Sequence, residues 1–212
     1  MEFTRLVEIV GDEPVFEASL LLAGNVNPGD VRRQLSRWTA GGRLYQLRRG
    51  LYALAPPFQK VKPHPFLIAN RMVRNSYVSC QSALAFYGLI PEYVPVITSV
   101  TTARPARWET PFGVLEFRHI KTDLLRGYRL SEVSAGQQAF VATPEKALLD
   151  LVYLHPGGDS PEYLRELRLQ NVERLNLDEL QRQADLVSLK LRRAVKIGSE
   201  LVRAEVQEYE TL

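Results

Sequence analysis

Between Val31 and Leu54 the chain carries six arginines and no acidic residue: Arg32, Arg33, Arg37, Arg43, Arg48 and Arg49. A guanidinium is a planar fork of donors that grips a phosphate, or the O6 and N7 edge of guanine, through two parallel hydrogen bonds. Ser36 falls among the arginines, and its hydroxyl can serve a base edge or a phosphate. The net charge of the 212-residue chain is only +3. Residues 28–62 hold eight Lys and Arg against one acidic residue and residues 63–130 hold eight against four, whereas 1–27 hold one against five and 131–212 ten against fourteen. A local cationic site on a near-neutral chain is the pattern of a surface that meets a polyanion.

A second set of residues invites a different chemistry. Glu145, Lys146 and Asp150 in TPEKALLD have the types a metal-dependent nuclease needs, carboxylates for a divalent ion and a lysine for phosphate. Ordinary helix physics explains the same residues: Glu145 near a helix N-terminus complements the dipole, and Lys146 with Asp150 is an i, i+4 pair. No second acidic cluster of recognisable spacing accompanies them. Ser79, Cys80 and Ser82 lack a nucleophile elbow, and neither a phosphate loop nor a dinucleotide fingerprint occurs. One cysteine and three scattered histidines, His64, His119 and His155, give no disulfide and no metal-ligand spacing. The expectation is a non-enzymatic protein with no catalytic residue, metal or cofactor; the alternative is an enzyme acting on nucleic acid through Glu145, Lys146 and Asp150.

The arginines need elements to position them. Asn27 is a good N-cap, Pro28 suits the first helical position and Asp30 complements the dipole, so a helix starts here and stops at Gly41-Gly42. Val31, Leu35 and Trp38 form one apolar stripe, which leaves Arg32, Arg33, Ser36 and Arg37 on the other faces. RLYQLRR, Gly50 and LYAL then read as a β-hairpin with Arg48 and Arg49 at its tip, closed by Pro56-Pro57. Phe3 to Val10 and Val15 to Ala23 read as two earlier helices. Three helices and a hairpin are the order of a winged helix-turn-helix, whose third helix lies in the major groove and whose wing reaches the backbone or the neighbouring minor groove. Arg32, Arg33, Ser36 and Arg37 are then the base-reading residues, and Arg43, Arg48 and Arg49 the phosphate-holding ones. Trp38 belongs to the core rather than to a stacking platform.

Pro63 and Pro65 around His64 end this first domain, 1–62. Residues 63–212 read as an α+β domain. Phe66 to Arg74 and Ser79 to Tyr87 are expected helices; Val96 to Thr102, Gly113 to Ile120, Tyr128 to Val133 and Gln138 to Ala142 are expected strands of a small sheet. A helix opens at Thr143-Pro144-Glu145 and runs to about His155, and residues 161–208 read as an almost wholly helical tail. Arg104 and Arg107, around Trp108, read as a loop beside the strands that either extends the cationic surface or is merely solvated. No apolar run approaches the roughly 20 residues that span a bilayer, and the acidic N-terminus has no cationic start. The expectation is a cytoplasmic protein without membrane contact.

The run LSRWTAGGRLYQLRRGLYALAPP (35–57), with YVSCQSALAFYGLI (77–90) and FVATPEKALLDLVYL (140–154), resembles the AbiEi-type antitoxins, transcriptional regulators of viral-defence systems. The resemblance covers residues 1–155 well and the last 57 loosely. It implies a repressor that binds repeats in its own promoter, in a bicistronic operon whose second gene encodes a nucleotidyltransferase-like toxin. In that type IV toxin-antitoxin arrangement the second domain is implicated in antitoxicity, and the antitoxin need not bind the toxin directly. Direct binding of the toxin by the second domain is a further alternative. Monomers on successive repeats and a two-fold dimer, both open on the sequence, differ in half-site geometry.

Overall fold

The computed structural model describes residues 1–23 and 26–210, the last ten as backbone only. In chain order the elements are α1 (Phe3–Val10), β1 (Phe16–Glu17), a 3₁₀ turn (Ala18–Leu22), α2 (Pro28–Ala40), β2 (Leu44–Arg48), β3 (Leu51–Leu54), α3 (Pro65–Met72), β4 (Ser76–Val78), α4 (Cys80–Phe86), β5 (Val96–Thr101), β6 (Ala106–Thr110), β7 (Gly113–His119), β8 (Tyr128–Ser134), β9 (Gln137–Ala142), α5 (Pro144–Leu154), α6 (Pro161–Glu166), α7 (Leu177–Asp185) and α8 (Leu189–Glu210). The class is α+β, with a long C-terminal helix. Among the described residues no helix is long and apolar enough to cross a membrane.

The chain builds two sheets. A three-stranded antiparallel sheet runs in the order β1-β3-β2, and a mixed six-stranded sheet in the order β6-β7-β5-β4-β9-β8, with β5-β7 and β4-β9 parallel. The small sheet corrects one expectation. Val15 to Ala23 is not a second α-helix: Phe16 and Glu17 are extended and pair with Tyr52 and Leu51, and the amide of Ala18 donates to the carbonyl of Gly50 at 2.8 Å. Only the five residues after Glu17 coil, and they do so as 3₁₀. Pairing with β3 supplies the backbone hydrogen bonds that a helix would otherwise have supplied locally.

All four residues of β3 are buried, because it is the central strand of a wall with a core on each side. Strand side chains alternate between faces. Tyr52 and Leu54 face a small core with Leu6, Val10, Phe16, Val31, Leu35 and Trp38. Leu51 and Ala53, joined by Val15 and Leu47, are part of the larger core that holds Tyr77, Val100, Phe117 and Val141. The linker residues are tied as well: buried Gln137 of β9 accepts from the amide of His64 at 2.8 Å and donates to the carbonyl of Lys62 at 2.9 Å.

Three further differences concern the second sheet and the tail. β4 pairs with both β5 and β9, yet its three residues are too few to show a period. β6 is an edge strand where a loop was expected, and its Arg107 faces Glu116 of β7 at 3.7 Å, so its charge has a partner within the sheet. The tail is broken into α6, a 3₁₀ turn at Val172–Arg174, α7 and α8, and Asn171 in the left-handed region (φ 50°) opens the 3₁₀ turn.

Candidate nucleic-acid interface

α2 starts where its capping residues require. The side chain of Asn27 accepts from the amide of Gly29 at 2.8 Å, Pro28 takes the first position, and Asp30 lies in the first turn. Val31, Leu35 and Trp38 are almost fully buried in the small core, where the Phe3 ring meets Trp38 edge-on at 5.3 Å. Arg32, Arg33, Ser36 and Arg37 are all exposed on the opposite side. The structure thus brings the four expected base-reading residues onto one solvent-facing surface of one helix. Arg33 is paired with Asp30 one turn earlier, but both side chains are more than half exposed, so this pair is readily exchanged.

The three residues expected to hold phosphates have different surroundings. Arg43 is exposed and lies over the Phe3 ring, 5.1 Å from its centre. Five residues further along β2, about 16 Å at strand rise, the chain reaches the tip. There Arg49 is exposed beside Gly50, whose φ of 82° makes the tight turn. Arg48 is different. A bulge between Gln46 and Arg48 turns its side chain inward, where it donates to the carbonyls of Arg49 (3.1 Å) and Arg71 (3.2 Å) and stands 3.9 Å from the Glu17 carboxylate. Its Nε is buried without a partner among the described residues. Arg48 therefore fastens the hairpin tip to the end of α3, and the exposed cations at this end are Arg49, Arg71 and Arg74. Sequence reasoning missed the last two. RMVRN at the end of α3 is a basic signal, but only the fold brings it to the tip.

Glu17 is the centre of this clasp. Its carboxylate accepts from Arg74 at 3.2 and 3.4 Å and lies near Arg48, and the Arg74 hydrogen bond holds its pKa below the ordinary value of 4.5. A carboxylate with a depressed folded pKa adds stability that is present above the unfolded value and lost as pH falls through the folded one. Glu17→Gln is thus expected to unfold at lower urea than the native chain at about pH 7, and the difference should vanish in strong acid. An unfolding midpoint gap of equal size at both pH values would contradict this.

The residues of the alternative chemistry are engaged elsewhere. Glu145 accepts from the amide of Asn176 at 2.9 Å and so anchors the N-cap of α7. Asp150, with 1% exposure, pairs with Lys146 and accepts from the hydroxyls of Tyr77 (2.9 Å) and Ser79 (2.7 Å). Burial pushes the Asp150 carboxyl above its usual range, against the pull of Lys146 and the two hydroxyls. The two carboxylates thus serve separate partners instead of converging on one open point. Cys80 is buried at the start of α4, and desolvation raises its thiol far above the ordinary value. No group of three His, Cys, Asp or Glu comes together to hold a metal ion among the described residues.

No protein-family model matches the chain, and no curated protein matches it. Its fold is similar to that of the RV2827C protein from Mycobacterium tuberculosis. The TM-score is 0.53 at 19% sequence identity, over 92% of this chain and 75% of that chain. At that identity the likeness concerns fold alone.

Proposed function

We propose that the chain is a sequence-specific DNA-binding repressor and the antitoxin of a type IV toxin-antitoxin operon, acting on repeats in its own promoter. The observation that carries the DNA reading is the surface of α2: three arginines and a serine face solvent while the opposite stripe is locked into a core. The order helix, strand, short turn, helix, hairpin, with β1 completing the hairpin sheet, supports a winged helix-turn-helix. In this reading Arg32, Arg33, Ser36 and Arg37 meet base edges in the major groove. Arg43 and Arg49 hold phosphates, joined by Arg71 and Arg74, while Arg48 positions the tip. The antitoxin role, and the nucleotidyltransferase-like toxin that need not be bound directly, rest on the motif resemblance of residues 35–57, 77–90 and 140–154.

Binding of the full chain to a duplex with its own upstream region, against random duplex of equal length at two salt concentrations, tests this. The expected preference at physiological salt is about a thousandfold or more, with affinity falling steeply as salt rises. Weak and equal binding to both duplexes would reduce the arginine face to a general electrostatic surface.

A further inference from the structure

Among helices α5 to α8 lies an apolar cavity of about 80 Å³. Its walls include Leu149 and Val152 of α5, Leu164 of α6, Leu180 of α7 and Val195 of α8. Gly198 of α8 also lines it, and a Cβ built on that glycine would meet no atom of the described residues within 4 Å.

Two arginines, Arg165 and Arg168, are among the residues that line the same cavity. Both are exposed, and neither side chain has a hydrogen-bond or ion-pair partner among the described residues. Neighbouring arginines are engaged: Arg174 with the carbonyl of Tyr87, Arg193 with Asp159.

An apolar chamber lined by two arginines whose side chains are unpaired among the described residues matches a molecule with a short aliphatic tail and an anionic head. We propose that this cavity binds a short-chain aliphatic carboxylate, its tail among the leucines and valines and its carboxylate on Arg165 and Arg168. The volume sets the tail length. At about 30 Å³ per water-sized group there is room for about three such groups inside, with the next carbon at the mouth. The site is separate from the arginine surface of α2, so it stands or falls independently of the DNA reading.

Titration of the full chain with pentanoate, followed by methyl NMR, tests the proposal, with pentan-1-ol as the uncharged tail and dodecanoate as the overlong one. Pentanoate is expected to shift the methyl signals of Leu149, Val152, Leu164 and Val195 saturably and to bind about tenfold or more tighter than pentan-1-ol, since a charge-assisted hydrogen bond discriminates on that scale, and to outbind dodecanoate, which has the same head and differs only in a tail too long for the chamber. Gly198→Leu fills the space and should abolish the shifts. The exposed double variant Arg165→Gln/Arg168→Gln should weaken pentanoate about tenfold and leave pentan-1-ol unchanged, and it decides the matter if the leucine variant does not fold. Absence of saturable shifts, their persistence in Gly198→Leu, or equal binding of acid and alcohol would overturn the assignment.

Discussion

Asp150→Ala is expected to remove about 3–5 kcal/mol of folding stability, because it leaves the Lys146 ammonium buried without a counter-charge. The same change takes the acceptor from the hydroxyls of Tyr77 and Ser79, both fully buried. Urea unfolding of the variant beside the native chain measures the loss, and a difference below about 1 kcal/mol would mean that the network contributes little. Lys146→Met perturbs the other partner. A carboxyl whose folded pKa is raised gives stability that is complete below its unfolded value and declines as pH rises through the folded one. Without the lysine the Asp150 value climbs further, so Lys146→Met should lose stability, relative to the native chain, as pH rises above the native Asp150 value. A pH-independent deficit would contradict the burial-driven direction of the shift.

The second large effect belongs to α2. In the DNA reading, Arg32→Gln/Arg37→Gln removes two base contacts of about 1–3 kcal/mol each, so affinity for the promoter duplex should fall by about a hundredfold or more. Affinity for random duplex should fall much less, and the preference between the two shrinks. Arg49→Gln/Arg71→Gln, at the hairpin tip and beside it, should instead weaken both duplexes alike and reduce the slope of log affinity against log salt by about 0.9 per lost phosphate contact. Fluorescence anisotropy across a salt series separates the two patterns. Equal loss of selectivity from both pairs would sink the division between base-reading and phosphate-holding residues.

Local signals made α2 and the hairpin legible in the sequence. Asn27-Pro28, the stripe Val31-Leu35-Trp38 and the Gly41-Gly42 stop all act within a few residues, and the helix lies where they place it. The features that stayed hidden depend on distant partners. β1 is two residues long and exists because β3, about 35 residues later, pairs with it. β4, with three residues, is nearly as short and takes its identity from β5 and β9. The i, i+4 spacing of Lys146 and Asp150 showed that they could pair, but not that Tyr77 and Ser79 would close over them in the interior. Arg48 looked like its neighbour Arg49, and the bulge that turns it toward Glu17 leaves no mark in an alternating pattern.

The wall built around β3 governs how the two ends of the molecule can influence each other. Its side chains alternate between two cores, so a displacement on one face is felt by the adjacent residues of the same strand on the other. The clasp of Glu17, Arg48 and Arg74 and the two hydrogen bonds of Gln137 hold that wall at its tip and at its exit. The segment around Pro63 and Pro65 is therefore a poor pivot. Any coupling between the α5–α8 side and α2 would therefore have to pass through repacking of interlocked side chains, and not through a free swing of one half against the other.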